Sequence, residues 1–308
     1  MSNKKVRSLV SILDLSTDEI NSLMNVADDI EKNTEKYREK CKNKILSTIF
    51  YEPSTRTRLS FESAMLSLGG SVISTADSKS SSAAKGESVG DTVRVISNYA
   101  DIIAMRHHKE GAPIVAAMKA TVPIINAGDG GHFHPTQTLA DLLTIRRSKG
   151  KLSGLTIGLC GDLMFGRTVH SLIEAMLRYP DNNYILIAPN ELRLPEYMRE
   201  ALDKAGAKWE ETPSLEYAMP KLDILYMTRV QKERFFNEED YVRLKDTYIL
   251  DEEKLKTAKN DLAILHPLPR VNEISVAVDD DSRAKYFYQT LCGKQMRMAL
   301  IMFLLGIE

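Results

Sequence analysis

The sequence predicts an α/β protein with two parallel-sheet domains. Short apolar and β-branched runs alternate with helical patterns along the chain, as in βαβ units. The 308 residues exceed what one hydrophobic core usually organises and suit two. A basic, glycine-bounded stretch at 146–154 separates two halves of similar pattern. We therefore predict domains at 1–145 and 146–289.

Composition and charge argue against several function classes. The formal net charge is −1, so nucleic acid and anionic membranes are not expected partners. The apolar tail at 298–307 is too short to span a bilayer, and we expect no signal peptide at the N-terminus. Cys41, Cys160 and Cys292 lack metal or CxxC spacing. Such sparse cysteines predict a cytoplasmic protein.

The first half opens with a helix and two strands. Ser16 and Glu19 form a capping-box pattern that predicts a helix through about residue 31. The run 45–50 predicts a buried strand, and 71–75 predicts a shorter one. Apolar residues at helical spacing lie between these two runs. The order strand, helix, strand is the expected start of a parallel sheet.

An anion site is predicted between the first strand and its helix. Ser54, Thr55 and Thr57 place three hydroxyl groups at a helix start, where unpaired N–H groups favour a phosphate or a similar dianion. Arg56 adds a planar guanidinium that can hold two oxygens. A capped helix with solvated arginines is the common alternative. The rarity of this hydroxyl and arginine pattern after a strand favours the anion site.

Three further segments of the first half are candidate ligand contacts. The polar stretch 77–88 lacks periodicity, and we interpret it as a functional loop rather than a linker because a helix follows at once. A strand at 101–105 ends on Arg106, and ligands of parallel sheets bind at that end of a strand. A strand at 122–126 leads through a glycine-rich turn to His134.

His134 is a candidate for polarising a carbonyl group. Pro135 at the helix start leaves His134 at the junction and Gln137 in the first turn. Most lone histidines are structural. One that follows a glycine-rich turn and lies beside an amide is better suited to stabilising a developing negative charge.

The second half repeats the alternation of strands and helices. We predict strands at 155–160, 184–188, 207–211, 223–227 and 262–265, and helices at 196–205, 240–250, 252–258 and 294–305. Arg229 and Gln231 follow the fourth of these strands and share one face if the chain stays extended; a solvated loop is the alternative. Pro267 and Pro269 flank Leu268 after the last strand, and the isomer of the Leu268–Pro269 bond stays open.

No cofactor or metal is predicted. His107 and His108 are adjacent in sequence and have no further ligands nearby, which is more typical of surface histidines. Gly158, Gly161 and Gly166 follow the strand-to-helix order of a dinucleotide site without forming GxGxxG. Covalent catalysis is not expected either, since no motif pairs a nucleophile with a base.

Five segments, in order, resemble the aspartate and ornithine carbamoyltransferases. They are Ser54–Arg58, Lys85–Ser88, His134–Leu142, Gly161–Ser171 and His266–Pro269. The resemblance implies a two-domain α/β fold with the active site in the interdomain cleft. It also implies that a C-terminal helix at 290–308 packs back on the first domain.

The resemblance implies carbamoyl phosphate as the carbamoyl donor. The implied catalytic residues are Arg56, Thr57, Lys85, Arg106 and His134. The implied carbamoyl-phosphate ligands are Ser54, Thr55, Arg56, Thr57, Ser81, Lys85, Arg106, His134, Gln137 and the carbonyl groups of Pro267 and Leu268. Proton removal from the acceptor amine has no obvious side-chain base, and the departing phosphate is one hypothesis for the proton acceptor.

The acceptor implied by the resemblance is L-aspartate. Arg167 matches the arginine that holds the α-carboxylate in the family, and Arg229 with Gln231 suits an acidic side chain but would repel the δ-amine of ornithine. Pro267 stands where the ornithine branch has cysteine. The implied aspartate-binding residues are Lys85, Arg167, Arg229, Gln231 and Leu268.

The resemblance also implies an oligomer. In the family, Ser81 and Lys85 reach the site of a neighbouring subunit, which implies a homotrimer with shared sites; added regulatory chains stay open. The alternatives are a carbamoyltransferase for another acceptor, a non-catalytic phosphate-binding scaffold and a nucleic-acid module. The near-zero net charge disfavours the last of these.

Overall fold

The computed structural model describes residues 6–76, 82–230 and 247–308. The chain divides into two compact units. Unit 1 comprises residues 1–140 and 290–308, and unit 2 comprises residues 141–289. Each unit is built on its own parallel sheet, which confirms the predicted fold class.

Unit 1 contains a four-stranded parallel sheet with the order β2-β1-β3-β4. Its strands are β1 (Ile45–Phe50), β2 (Ser71–Thr75), β3 (Ile102–His107) and β4 (Ile124–Asp129). The strands β3 and β4 are buried along their whole length, and each begins with two isoleucines and ends on a polar residue. The chain goes outward from β1 to β2 and then returns to the other side of β1. The strand order therefore reverses between β1 and β3, the usual ligand position in such sheets.

Among the described residues up to position 150, five α-helices accompany this sheet. They are α1 (Thr17–Lys32), α2 (Thr55–Ser67), α3 (Val89–Ile96), α4 (Ala112–Lys119) and α5 (Pro135–Lys149). The predicted capping box is present at α1, where the Ser16 hydroxyl accepts from the Glu19 amide and the Glu19 carboxylate accepts from the Ser16 amide. Its two reciprocal bonds satisfy amides that a helix start leaves unpaired.

Unit 2 contains a five-stranded parallel sheet with the order β7-β6-β5-β8-β9. Its strands are β5 (Thr156–Cys160), β6 (Asn183–Ile187), β7 (Lys208–Thr212), β8 (Ile224–Met227) and β9 (Ala263–Leu265). The strand order reverses between β5 and β8. Helices α6 (Arg167–Met176), α7 (Glu196–Lys204), α8 (Leu215–Ala218) and α9 (Glu252–Leu255) connect them.

The C-terminal helix α10 (Tyr286–Leu305) packs on unit 1 as predicted. The Arg297 guanidinium donates to the Ser60 hydroxyl at 3.0 Å and lies 5.0 Å from the centroid of the Phe61 ring. Near the end of the helix, the Arg7 guanidinium lies 4.7 Å from the Phe303 ring centroid. Cation–π contacts and a hydrogen bond thus attach α10 to both α2 and the N-terminal segment.

Three helix predictions were wrong in part. The helix α9 ends at Leu255 rather than at residue 258. The helix α10 begins at Tyr286 rather than at residue 294. Of the predicted helix at 240–250, residues 240–246 lie outside the described residues, and 247–250 is not helical. Instead Leu250 forms a parallel bridge with Ile274, because its buried side chain joins the core of unit 2.

The three cysteines are free thiols and buried. Burial raises the pKa of the Cys41 thiol to about 11 and also raises the pKa of Cys160. Within the described ranges, no helix is both long and apolar enough to cross a bilayer. The same ranges hold no group of three or more His, Cys, Asp or Glu side chains arranged for a metal ion.

Candidate functional site

The carboxyl ends of three neighbouring strands lie side by side in unit 1. Phe50 pairs in register with Arg106, and His107 pairs with Asp129. The Tyr51 amide donates to the Arg106 carbonyl at 2.9 Å, which continues the pairing beyond β1. The loop after β1, the end of β3 and the turn after β4 therefore meet at one edge of the sheet.

Arg106 is held at this edge by three groups. Its side chain donates to Glu52 Oε1 at 2.8 Å and to the Ala127 carbonyl at 3.3 Å, and its Nη1 lies 3.4 Å from His134 Nε2. Only 8% of Arg106 is exposed. Because a guanidinium can only donate, a hydrogen bond between these two groups has His134 Nε2 as its acceptor. The structure thus brings two predicted residues, Arg106 and His134, into contact.

Glu52 is a residue that the sequence analysis missed. Its carboxylate makes the ion pair with Arg106, although 54 positions separate them. A usable signal was present, since Glu52 lies two residues beyond β1 and immediately before the Pro53–Thr57 segment. An acidic residue at that point can hold a cation of the neighbouring strand end.

The predicted anion loop lies at the start of α2. Ser54 is the N-cap residue with extended backbone angles, and Thr55, Arg56 and Thr57 form the first turn. The Ser54 hydroxyl makes no hydrogen bond to the amides of this turn, all of which belong to the described part of the chain. Thr55 and Arg56 are exposed. Donors of the first turn and the Ser54 hydroxyl can therefore meet an anion.

A fully buried carboxylate shapes the turn that precedes His134. Asp129 accepts from the Asn126 side chain at 2.9 Å, the Phe133 amide at 3.0 Å and the Gly111 amide at 2.9 Å. These bonds fix residues 129–133 before α5 begins. His134 is consequently held at the helix start, where only 5% of it is exposed. Gln137, also predicted, lies in the first turn of α5.

The predicted loop residues differ in how far the structure describes them. Lys85 is the last residue of a short 3₁₀ turn at 82–85 and is exposed. Among the described residues, no hydrogen bond joins it to Arg106 or His134. Ser81 and Gln231 lie outside the described residues, so their predicted contacts stay predictions.

In unit 2, the loops after β5 and β8 are tied together by Thr228. Its hydroxyl donates to the Cys160 carbonyl at 3.1 Å and accepts from the Asp162 amide at 3.0 Å. Gly161 has φ +113°, and a Cβ there would lie 2.3 Å from the Thr228 carbonyl oxygen. Only glycine allows this approach. The first loop leads to Arg167 at the start of α6, and the second carries Arg229.

The turn after β9 is built around His266. Leu268 adopts φ +54°, and the Leu268–Pro269 bond is cis, which settles the open isomer. The Leu268 amide donates to His266 Nδ1 at 2.8 Å, and His266 Nε2 lies 2.7 Å from Glu273 Oε1. Burial lowers the pKa of His266 despite the nearby carboxylate, so the ring is neutral. Burial opposes ionisation of Glu273, but its bonds from His266 and from backbone amides outweigh that effect and lower its pKa.

The matches to family models divide the chain in two. Residues 7–147 match the carbamoyl-phosphate-binding domain of aspartate/ornithine carbamoyltransferases, and residues 153–304 match the Asp/Orn-binding domain. The chain belongs to the aspartate/ornithine carbamoyltransferase family. The segment resemblance drawn from the sequence is therefore confirmed at the level of the family.

Individual members of this family are similar over nearly the whole chain. The aspartate carbamoyltransferase catalytic subunit of Lachnoclostridium phytofermentans is 61% identical over 98% of this chain and 99% of that protein. The catalytic subunit of M. jannaschii aspartate transcarbamoylase has a TM-score of 0.91 and 47% identity, covering 97% of this chain and 98% of that one. The Trypanosoma cruzi aspartate transcarbamoylase, solved with carbamoyl phosphate and aspartate, has a TM-score of 0.90 and 36% identity, covering 96% of each chain.

Proposed function

We propose that this chain transfers the carbamoyl group of carbamoyl phosphate to the amine of L-aspartate. The products are N-carbamoyl-L-aspartate and phosphate, in de novo pyrimidine synthesis. The observation that carries the proposal is the meeting of Arg106, His134 and the loop before α2 at the strand-order reversal of unit 1. Similarity to aspartate carbamoyltransferases across both domains supports the same reaction.

The phosphate group of the donor would bind at the start of α2. Ser54, Thr55 and Thr57 supply hydroxyl and amide donors, Arg56 supplies a planar fork, and the positive end of the helix favours the dianion. Arg106 would add a second guanidinium from β3. The Glu52 carboxylate, now bonded to Arg106, keeps that guanidinium oriented before the donor arrives.

The chemistry would be a direct displacement at the carbamoyl carbon. The lone pair of the aspartate amine forms the new C–N bond, the C–O bond to phosphate breaks, and one amine proton leaves with the phosphate. Arg56, Thr57 and His134 would draw charge from the carbonyl oxygen. A well-placed donor of this kind lowers the barrier by about 3 kcal/mol. Gln137 and the carbonyls of Pro267 and Leu268 would orient the NH₂ group.

The aspartate would be recognised by the arginines of unit 2. Arg167 would bind the α-carboxylate, and Arg229 with Gln231 would bind the side-chain carboxylate, with Leu268 and Lys85 completing the set. The hydrogen bonds of Thr228 support this assignment, because they join the loop that leads to Arg167 to the loop that carries Arg229. Residues 1–145 with 290–308 would form the carbamoyl-phosphate-binding domain, and 146–289 the aspartate-binding domain.

The proposed assembly is a cytoplasmic homotrimer. Ser81 and Lys85 of one subunit would complete the site of its neighbour, and the exposure of Lys85 within this chain is compatible with such a role. Sharing residues around a closed ring is a common basis of trimer formation. Regulatory chains would be additional partners of such a trimer.

The deciding experiment is an assay for carbamoylated product with the purified chain alone. It is run with carbamoyl phosphate and either L-aspartate or L-ornithine. We expect product with L-aspartate only. Product with L-ornithine would contradict the assignment of Arg229. If neither acceptor gives product, binding of the bisubstrate analogue N-(phosphonacetyl)-L-aspartate separates a missing partner from a different acceptor or a non-catalytic scaffold.

A further inference from the structure

We propose that His266 is a positioning residue, held by Glu273, that fixes the turn whose Pro267 and Leu268 carbonyls receive the carbamoyl NH₂ group. The inference rests on the proposed function, in which those carbonyls contact the donor. His266 itself does not touch the substrate in this scheme. It acts through the backbone of Leu268, and its effect should therefore be specific to the NH₂ group.

The first step is the conformation of Leu268. Its φ of +54° lies in the left-handed region, which residues other than glycine rarely adopt. Such a conformation persists only where the surroundings impose it, and it is concentrated at functional sites. Here the Leu268 amide donates to His266 Nδ1 at 2.8 Å, so the histidine ring holds the residue in this conformation.

The second step is the tautomer of His266. Nδ1 can accept from Leu268 only if it carries no proton, which leaves the ring proton on Nε2. That proton points to Glu273 Oε1 at 2.7 Å. The other oxygen, Oε2, accepts from the amides of Val271 at 3.0 Å and Asn272 at 3.1 Å. Glu273 therefore selects the one tautomer of His266 that can bind Leu268.

The third step is the backbone of His266. Its amide donates to Gln289 Oε1 at 3.0 Å, and Gln289 Nε2 donates to Asp141 Oδ1. The Tyr226 hydroxyl donates to Asp141 Oδ2 at 3.0 Å. All four residues are buried, with His266 only 1% exposed. A buried network with these bonds is rigid, so the turn cannot shift without leaving polar groups unpaired.

The chemistry of the donor gives a direct readout of this role. Backbone carbonyl oxygens accept hydrogen bonds, and the NH₂ group of carbamoyl phosphate can donate to them. Acetyl phosphate carries a methyl group in place of that NH₂ and cannot donate. Loosening the turn should therefore weaken carbamoyl phosphate binding and leave acetyl phosphate binding unchanged. A change that only destabilises the fold would affect both ligands alike.

Two substitutions at His266 separate the role of its acceptor from that of its bulk. His266→Leu fills a similar volume but cannot accept from the Leu268 amide. His266→Asn keeps an acceptor, because an asparagine carbonyl commonly accepts from the amide two residues later. We expect His266→Leu to raise the Kd of carbamoyl phosphate about tenfold and that of acetyl phosphate less than about twofold. We expect His266→Asn to stay within about threefold of the original chain for both ligands.

Two variants outside His266 complete the design. Glu273→Gln keeps the shape but removes the charge that selects the tautomer, and we expect the same selective loss at about fivefold. Asp279→Asn is the matched control, because Asp279 pairs with Arg270 at 2.6 Å in the same segment and its bonds go to Arg270 and Tyr286. We expect this control to leave the ratio of the two Kd values unchanged.

The outcomes are distinct. Equal weakening of both ligands by His266→Leu, or no weakening, would overturn the inference. If His266→Leu does not fold, Glu273→Gln decides: a selective loss supports the inference, and an unchanged ratio overturns it. An original chain that neither forms N-carbamoyl-L-aspartate nor binds N-(phosphonacetyl)-L-aspartate would instead refute the proposed function, so the two failures are distinguishable.

Discussion

The two units use the same sheet plan but equip it differently. In each, the strand order reverses once, between β1 and β3 in unit 1 and between β5 and β8 in unit 2. At the reversal of unit 1, the Arg106 guanidinium is held in place, chiefly by the carboxylate of Glu52. In unit 2, backbone segments are held, with Thr228 joining two loops and His266 bracing a turn.

This difference shows what a shared topology leaves to local residues. The sheet determines where loops gather, because parallel strands end at one edge. Whether that edge offers charge or a fixed backbone depends on the hydrogen bonds that each loop makes. Substitutions in unit 1 should therefore have their largest effects where a charge is removed. Substitutions in unit 2 should also have effects where the backbone geometry of a loop is changed.

The largest effect is expected for Arg106→Ala. Removing the guanidinium that we propose to bind phosphate should lower kcat/KM about 1000-fold, because a charged donor at the reacting group would be lost. Steady-state kinetics with varied carbamoyl phosphate measure this change. Arg106→Lys keeps the charge without the planar fork, so its kcat/KM should lie between that of the original chain and that of Arg106→Ala. A loss below about tenfold for Arg106→Ala would contradict the assignment.

Arg229→Ala sharpens the comparison from the side of unit 2. We expect the KM for L-aspartate to rise about 100-fold and the KM for carbamoyl phosphate to rise less than about threefold, since we propose that the lost charge binds only the acceptor. Arg193→Ala is the control, because Arg193 is an exposed arginine of unit 2 with a long 3.9 Å pair to Glu211. Equal effects on both substrates would refute the acceptor role.

Gly161→Ala tests the latch between the two loops of unit 2. A methyl group would meet the Thr228 carbonyl at 2.3 Å, and the residue would also keep a positive φ. We expect the free energy of unfolding to fall by about 3 kcal/mol, measured by urea denaturation. At Gly206, φ is +66° and the space around a Cβ is open, so Gly206→Ala should cost only about 1 kcal/mol. Equal costs would show that the close approach is unimportant.

The smallest effect concerns a second strand-end histidine, His107. Like His266, it is buried and accepts through Nδ1 from the amide two residues later, that of Lys109 at 2.9 Å. Burial, aided by the charges of His108 and Lys109, lowers the pKa of His107 from 6.5 to about 4. The folded chain therefore binds fewer protons than the unfolded chain between these two pKa values. His107 thus costs no stability above the unfolded pKa, and stability falls as the pH drops toward 4.

His107→Asn isolates this titration, because asparagine can keep the bond to Lys109 but does not ionise. From pH 7 to pH 5, the original chain should lose about 2 kcal/mol more of its free energy of unfolding than the variant. Urea denaturation at both pH values measures the difference. The same pH dependence in both chains would show that His107 does not control it.

Local patterns predicted much of the fold. The strands β1 and β2 have the predicted bounds; β1 is a largely buried run, and β2 is a short, more exposed run at the edge of the sheet. The start of α10 was missed because its first turns mix aromatic, polar and glycine residues. In that part of the helix, the buried Gln289 forms hydrogen bonds with His266 and Asp141, so the position does not contribute to an apolar pattern. Such a role depends on contacts distant in sequence.

The site shows the same division between local and distant information. Segment patterns predicted that Arg106 and His134 lie at strand or helix ends, and the structure places them there. Glu52 and Glu273 were not predicted, because the role of each becomes visible only from its contact with a guanidinium or an imidazole ring in the folded chain. Glu52 meets Arg106 across the sheet, and Glu273 meets His266 across a turn. No pattern of a single strand or helix encodes those meetings.

The buried cysteines give each unit its own reporter of unfolding. Cys41 and Cys292 belong to unit 1 and Cys160 to unit 2, and all three are buried. Only an exposed thiolate reacts with an alkylating reagent at an appreciable rate, and burial with a raised pKa suppresses it. The rate of labelling at each position therefore measures how often its surroundings open. Mass spectrometry of the labelled peptides would measure the opening of the two units separately, without any introduced cysteine.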